Sequence, residues 1–397
     1  MSSPKSSHLA LISSGCCGSL LGALIGDCHG SPFEFAGRPR PKKVLDFVLK
    51  FRGNKLEEPD SETAPPPTHL PFSDDTAMTR SVAGSLIAHR GYDAVDMAKR
   101  FGSEFEKEPE RGYGYNVTTV FDAINTGNYD GDIYRPAAAQ FGGSGSYGNG
   151  GAMRIAPVAL FQFVEASKTS SSSGDSPAER CPSVESLLRV STDDICLNST
   201  RLTHSNAFGI HGALLQCLAV KLALRAGLLK DGEDIDVGAF ATALIDAMRE
   251  VEGREASEPK CKKSKLENDH HSEEEIEEDS EEDIDFYDGD DPSNLPYAYV
   301  EKLERVQKFL SDHEKTINSN KPSRDDAFDP LRLKPVVTRL GNSVAAMGSV
   351  PTAIYCFLRS VMEENMKDGR LKIDTLAASG VNSLFKRAES CFILFKI

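Results

Sequence analysis

The sequence predicts an all-α fold, a single compact multi-helix domain carrying loop insertions. Apolar residues recur at three- and four-residue spacing through almost every segment. Alternating strand patterns are scarce. Three stretches of distinct composition, Lys55 to Pro71, Ser167 to Ser183 and Glu252 to Pro296, separate the periodic segments and read as linkers or surface insertions.

Residues 1–14 read as a flexible N-terminus ahead of a Gly/Ala-rich helix whose apolar face is Leu20, Leu21, Leu24 and Ile25. Gly18, Gly22 and Gly26 at four-residue spacing predict close approach of a neighbouring helix. Met78, Val82 and Leu86 mark the next helix, followed by Met97, Phe101 and Phe105, then Val117 and Phe121. Ala213 and Cys217 place another helix that extends to Leu224. Phe240, Leu244 and Met248 continue the pattern, and Val300, Leu303, Val306 and Leu310 complete it. The domain is expected to span 15–360, with insertions at 167–183 and 252–296 and a divergent stretch at 361–397.

With 39% apolar and 26% charged residues the composition is that of a soluble globular chain. No apolar run is expected to reach the roughly 18 residues that span a bilayer. Met1 to Ser14 holds one lysine and a short Leu-Ala-Leu-Ile patch, without a cleavage-type signal behind it. Nine dispersed cysteines follow neither a disulfide nor a zinc spacing, which fits reduced thiols in the nucleus or cytosol. The net charge of −15 is local, because Glu267 to Asp291 holds fifteen acidic residues and no Lys or Arg. That tract cannot offset its ordering entropy and is expected to be disordered. The lysines just before it (Lys260, Lys262, Lys263, Lys265) read either as a nuclear localisation signal or as a solvated basic patch.

Five motifs carry the chemistry. Ser73-Asp74-Asp75-Thr76 puts a hydroxyl and two adjacent carboxylates at a helix start, where either the helix N-terminus or a hard cation such as Mg²⁺ would hold them. Phe141-Gly142-Gly143-Ser144-Gly145-Ser146-Tyr147-Gly148-Asn149-Gly150-Gly151 is a glycine-rich loop ahead of a helix-like run from Ala152. Its backbone N–H groups suit an anion, although a plain flexible loop reads the same way. It is neither a Walker loop nor a Rossmann fingerprint. Glu34, between Phe33 and Phe35, is either a tuned proton-transfer group or an exposed loop glutamate. Arg111-Gly112-Tyr113-Gly114-Tyr115 either lines a ring pocket or makes a turn. His204, in Leu202-Thr203-His204-Ser205-Asn206, either caps the following helix, the safer reading, or points into a site.

In this order the motifs resemble those of the ADP-ribosylhydrolase (ADP-ribosylglycohydrolase) family, above all its type-three branch, which acts on ADP-ribosyl-serine and poly(ADP-ribose). Val350-Pro351-Thr352-Ala353-Ile354-Tyr355 strengthens that likeness, which runs from about Gly15 to Arg359. The resemblance implies an all-α, two-Mg²⁺ hydrolase of the C1″ O-glycosidic bond. It implies metal ligation by Glu34, Ser73, Asp74 and Asp75, with Ser73 standing where close relatives carry Thr, and acid–base work by Glu34. It further implies that Asp74, Phe141, Ser144, Gly145, Ser146, Tyr147, Gly148, Asn149, Gly150, His204 and Val344 contact substrate. The two metals would grip the ribose hydroxyls and activate water against an oxocarbenium-like centre.

Implied partners are serine-ADP-ribosylated proteins and poly(ADP-ribose). Sequence-specific nucleic-acid binding and membrane association are not expected of this monomer. The implied setting is DNA-damage signalling and repair in nucleus and cytoplasm, extending to the mitochondrial matrix. The family's late Gly-Gly-Asp-(Ser/Thr)-Asp-Thr motif does not occur in this sequence. The expectation is therefore a C-terminally truncated member whose second metal site is incomplete. Two readings follow: a Mg²⁺-dependent hydrolase, or a catalytically silent ADP-ribose-binding or regulatory form.

Overall fold

Helical periodicity becomes helix throughout the computed structural model, which describes residues 4–34, 47, 70–169, 181–191, 194–229, 235–257, 297–319 and 330–368. The helices are α1 (Pro4–Gly30), α2 (Asp74–His89), α3 (Ala94–Lys107), α4 (Tyr115–Thr126), α5 (Arg135–Gly143), α6 (Ala156–Thr169) and α7 (Val184–Leu188). They continue as α8 (Ile195–Arg201), α9 (Ala207–Leu228), α10 (Val237–Ser257), α11 (Ala298–Ser319), α12 (Pro330–Leu340) and α13 (Ala346–Asp368). Single 3₁₀ turns occupy Ser31–Phe33 and Asn149–Gly151. Among the described residues the sole β-type pairing is an isolated antiparallel bridge between Gly148 and Ala345.

Helix α9 is the hub. It is buried almost all round and packs against α1, α6, α8, α10 and α13, as expected of a helix without a polar face. Gly15 lets α1 approach closely, since a Cβ there would lie 2.6 Å from Leu224 Cδ1. The stripes read from sequence face inward: Met78, Val82 and Leu86 of α2, Met97 and Phe101 of α3, Phe121 of α4, and Leu303 and Val306 of α11 are all buried. Each large apolar side chain buried in this way contributes about 1.5–3 kcal/mol. Helix α2 packs on α3 and α6, α3 packs on α4, and the 3₁₀ turn of the glycine-rich loop packs on α9 and α13.

Several boundaries differ from the sequence reading. The segment expected to be flexible is helical from Pro4, with Ile12 buried. Helix α13 continues across residue 360 to Asp368, and Met362 is buried. The insertion expected from Glu252 begins later, because α10 continues to Ser257. Glu252 is itself 4% exposed, and its carboxylate accepts the backbone N–H groups of Tyr299 (2.9 Å) and Val300 (3.1 Å). It therefore caps the first turn of α11, and its charge, which suggested a loop, serves a helix terminus instead. The acidic tract and its lysines lie outside the described residues, as do 170–180 of the serine-rich stretch.

By length and composition, Leu9–Phe33 and Ala207–Leu228 could each cross a membrane, which corrects the expectation that no apolar stretch is long enough. The second is a core helix with 83% of its apolar window buried. The described cysteines are free thiols, and burial pushes those of Cys196 and Cys356 up, which suits structural rather than nucleophilic sulfur.

Candidate functional site

Ser73 is the N-cap of α2, its hydroxyl accepting the Asp75 N–H at 3.3 Å. Asp74 and Asp75 fill the first turn, where the helix dipole favours negative charge. The capping reading thus holds for Ser73. Capping alone does not explain the burial of both carboxylates, Asp74 at 6% exposure and Asp75 at 4%. A third carboxylate lies beneath them. Asp27, fully buried on α1, accepts the Ser73 N–H (2.9 and 3.1 Å to its two oxygens), the Ser73 hydroxyl (2.6 Å), the Thr76 N–H (3.1 Å) and the Thr76 hydroxyl (2.6 Å). A single side chain from α1 thereby sets the pose of the α2 terminus.

The Arg111–Gly114 loop closes over this terminus. The Asp74 N–H donates to the Arg111 carbonyl at 3.1 Å. The Arg111 guanidinium donates to the Phe72 carbonyl at 2.9 Å and sits 4.0 Å from the Phe72 ring centroid. Gly112 has φ +100°, and a Cβ there would stand 3.4 Å from Asp74 Oδ1. Tyr113 packs edge-on against Phe105 and Phe121, so it anchors the loop to α3 and α4. Its buried hydroxyl has no hydrogen-bond partner among the described residues, and burial followed by the Asp74 charge raises its pKa. A cleft of about 410 Å³ opens here, lined in part by Ser31, Phe72, Ser73 and Arg111. Ser31 begins the 3₁₀ turn leading to Glu34, whose N–H donates to the Ser31 carbonyl at 3.3 Å.

The glycine-rich loop forms the other half. Helical geometry in α5 breaks at Gln140, and Phe141 adopts a left-handed conformation (φ 51°, ψ 46°) uncommon for a non-glycine residue. Phe141 and Tyr147 are both about half exposed, their ring centroids 6.3 Å apart, and Val344 is more exposed still. The loop is pinned from two sides: Asn149 N–H donates to the Val344 carbonyl, Ala346 N–H to the Tyr147 carbonyl, and Asn206 N–H to the Ser146 carbonyl. Gly145 (φ +72°) fits only without a side chain, since a Cβ would meet the Asn206 nitrogen at 2.8 Å.

The anion-cradle expectation is narrowed by these bonds. The N–H groups of Ser144, Gly145, Gly148 and Asn149 already donate within the protein. Those of Ser146, Tyr147 and Gly150 have no acceptor among the described residues. The α-helix that follows begins at Ala156 rather than Ala152, with a 3₁₀ turn between, so the loop is not set directly on an α-helix terminus.

His204 does not cap α9; Asn206 does, accepting the Phe208 N–H at 3.0 Å. The imidazole is 7% exposed under the loop, where a Cβ on Gly150 would lie 2.5 Å from its Cε1 and one on Gly148 3.2 Å from its Nε2. Arg154 links the two halves. Buried at 2% exposure over the Phe101 ring, it donates to the Ser199 carbonyl (3.2 Å) and the Thr203 hydroxyl (2.7 Å), and it feels the negative charge of Asp74.

A family model described as ADP-ribosylglycohydrolase matches residues 11–373. The chain belongs to the ADP-ribosylglycohydrolase family. It is 36% identical to ADP-ribosylhydrolase ARH3 of Gallus gallus over 346 residues, covering 86% of this chain and 72% of that protein. It is 35% identical to the ARH3 of Mus musculus and 34% identical to that of Homo sapiens, each over 345 residues, covering 86% of this chain and 71% and 72% of those proteins.

In this ADP-ribosylglycohydrolase the structure brings Ser73, Asp74 and Asp75 together with Asp27 and the Arg111 loop, and Ser144–Gly150 together with His204 and Val344. Ser73, Asp74 and Asp75 offer a hydroxyl and carboxylate oxygens, the hard donors that suit Mg²⁺. Among the described residues, no three His, Cys, Asp or Glu side chains converge as a metal cage. The described donors therefore fit part of one ion's coordination shell. Asp27 was not singled out from the sequence. The available signal was a charged residue inside the apolar run from Leu20 to Ile25 onward. Thr76, Arg154 and Thr203 were missed as well, and their roles depend on partners distant in sequence.

Proposed function

We propose that the chain is a Mg²⁺-dependent ADP-ribosylhydrolase cleaving the C1″ O-glycosidic bond of ADP-ribose on serine and in poly(ADP-ribose). The observation that carries this reading is the buried Asp74–Asp75 pair, clamped in place by Asp27 at the mouth of α2. Two desolvated carboxylates at one helix start are costly unless a cation or donor is held there.

In this reading Ser73, Asp74 and Asp75 would hold Mg²⁺ and Glu34, which does not converge with both aspartates as a cage, would join them on binding; the ion would supply positive charge to the ribose hydroxyls and lower the pKa of a water. The Ser146, Tyr147 and Gly150 N–H groups hold the diphosphate. Phe141 and Tyr147 offer ring faces to the base, and Val344 adds an apolar contact. A Glu34 carboxylate oxygen would take one proton of the attacking water as its oxygen bonds to C1″ and the C1″–oxygen bond breaks, then return that proton to the departing serine oxygen, so that serine leaves as the hydroxyl and Glu34 ends as the carboxylate. Nuclear and cytoplasmic action, and action in the mitochondrial matrix, belong to the same proposal.

The test is titration of the purified chain with ADP-ribose, with and without Mg²⁺, beside release of ADP-ribose from a serine-modified peptide. Magnesium-dependent binding together with release supports the reading. Binding without turnover would favour the silent ADP-ribose-binding form. Absence of binding would overturn both.

A further inference from the structure

We infer that Arg154 is a positioning residue that acts through Thr203 to hold His204 as its Nε2–H tautomer, so that the glycine-rich loop presents an imidazole N–H donor to an acceptor oxygen of the bound nucleotide. The inference rests on proton bookkeeping at one hydroxyl. Thr203 is fully buried, and its Oγ1 lies 2.7 Å from an Arg154 guanidinium nitrogen and 2.7 Å from His204 Nδ1. A guanidinium only donates, so Oγ1 accepts that bond. The hydroxyl proton then has one remaining acceptor among the described residues, Nδ1 of His204. Were Nδ1 protonated instead, two donors would point at Oγ1 and the Thr203 proton would be buried without an acceptor, a costly arrangement.

With Nδ1 as acceptor, the ring proton sits on Nε2. That nitrogen faces the loop, since hypothetical Cβ atoms on Gly148 and Gly150 would lie 3.2 and 2.9 Å from it. Burial, then the Arg154 cation, keeps the ring neutral, which agrees with one donor and one acceptor nitrogen. Arg154 is held in turn by the Ser199 carbonyl and the Phe101 ring, so the arrangement is fixed by α3 and α8 rather than by the loop. The donor would meet a ribose or phosphate oxygen of ADP-ribose, a ligand role that rests on the function proposed above. The tautomer does not depend on that role.

The experiment separates the two. In the ligand-free protein labelled with ¹⁵N-histidine, long-range ¹H–¹⁵N correlation reads the protonation of each ring nitrogen. The expected wild-type pattern for His204 is unprotonated Nδ1 and protonated Nε2. Thr203→Val, which keeps side-chain shape, is expected to shift His204 toward Nδ1–H or a mixture and to weaken ADP-ribose binding about tenfold. Thr203→Ser is expected to restore both, and it serves as the folded comparison should the valine variant melt early. Arg154→Lys is expected to loosen the tautomer while keeping the charge. An Nδ1–H imidazole in the wild type, or an unchanged tautomer in a folded Thr203→Val, overturns the inference. A correct tautomer with no affinity for ADP-ribose leaves the tautomer standing and overturns the ligand role and the function it rests on.

Discussion

Asp27→Asn would measure how far one buried side chain sets the geometry of the carboxylate centre. The wild-type carboxylate accepts at least five hydrogen-bond distances from Ser73 and Thr76, two of them hydroxyl contacts at 2.6 Å. An amide of the same shape keeps one acceptor oxygen and turns the other position into a donor. Whichever way it rotates, it faces one hydroxyl and at least one backbone N–H with an NH₂ group. A hydrogen bond to a charged acceptor is worth about 1.5–3 kcal/mol, and one or two are lost depending on the rotation, because the Ser73 N–H reaches both oxygens. Removing one of three neighbouring negative charges returns part of that energy. The net expectation is a loss of about 2–4 kcal/mol. Equilibrium denaturation gives the loss, and a double-mutant cycle with Thr76→Val isolates the pair, with an expected coupling above about 1 kcal/mol. A loss within about 0.5 kcal/mol, or additive effects in the cycle, would refute the clamp.

Asp74→Ala and Asp75→Ala are each expected to abolish release of ADP-ribose from a serine-modified peptide while leaving the helical circular-dichroism signal intact; surviving activity in both would show that these carboxylates do not hold the metal. Gly145→Ala forces a left-handed residue against the backbone of Ser205 and Asn206, so a loss of about 2–4 kcal/mol and weaker ADP-ribose binding are expected by denaturation and calorimetry. Glu252→Ala removes the acceptor of two α11 N–H groups and should cost about 2–3 kcal/mol in thermal or denaturant unfolding, with Glu252→Gln recovering part of it. His204, facing Arg154 and Thr203, is pushed from its ordinary range to about 3 by burial and the guanidinium charge. The unfolded chain therefore binds the extra proton first. Stability should fall as pH drops from about 6.5 toward 3, by at most about 1.4 kcal/mol per pH unit, and His204→Gln should flatten that slope in melting experiments.

The helices were legible because their signals are local. A four-residue recurrence such as Met78, Val82 and Leu86 states which face is buried whatever lies opposite it. Ser73 as a cap was legible for the same reason, being two residues from the N–H it accepts. Charge density misled at Glu252, where the sequence offered an acidic residue at the edge of a charged stretch and the fold used it to cap a helix 47 residues away. His204 misled in the opposite sense: a polar residue just before a helix looked like a cap, while Asn206 two residues later took that role.

From the residues alone came the all-α class, the positions of the main helices, the Ser-Asp-Asp cluster, the glycine-rich loop and the family likeness that the comparison bears out. Tertiary packing decided which groups meet. Asp27 reaches Ser73 across 46 residues and Thr76 across 49, and Arg154 reaches Thr203 across another 49. No periodicity specifies such pairings. They arise because buried donors and acceptors must find partners, and only the packed helices fix which partners are near.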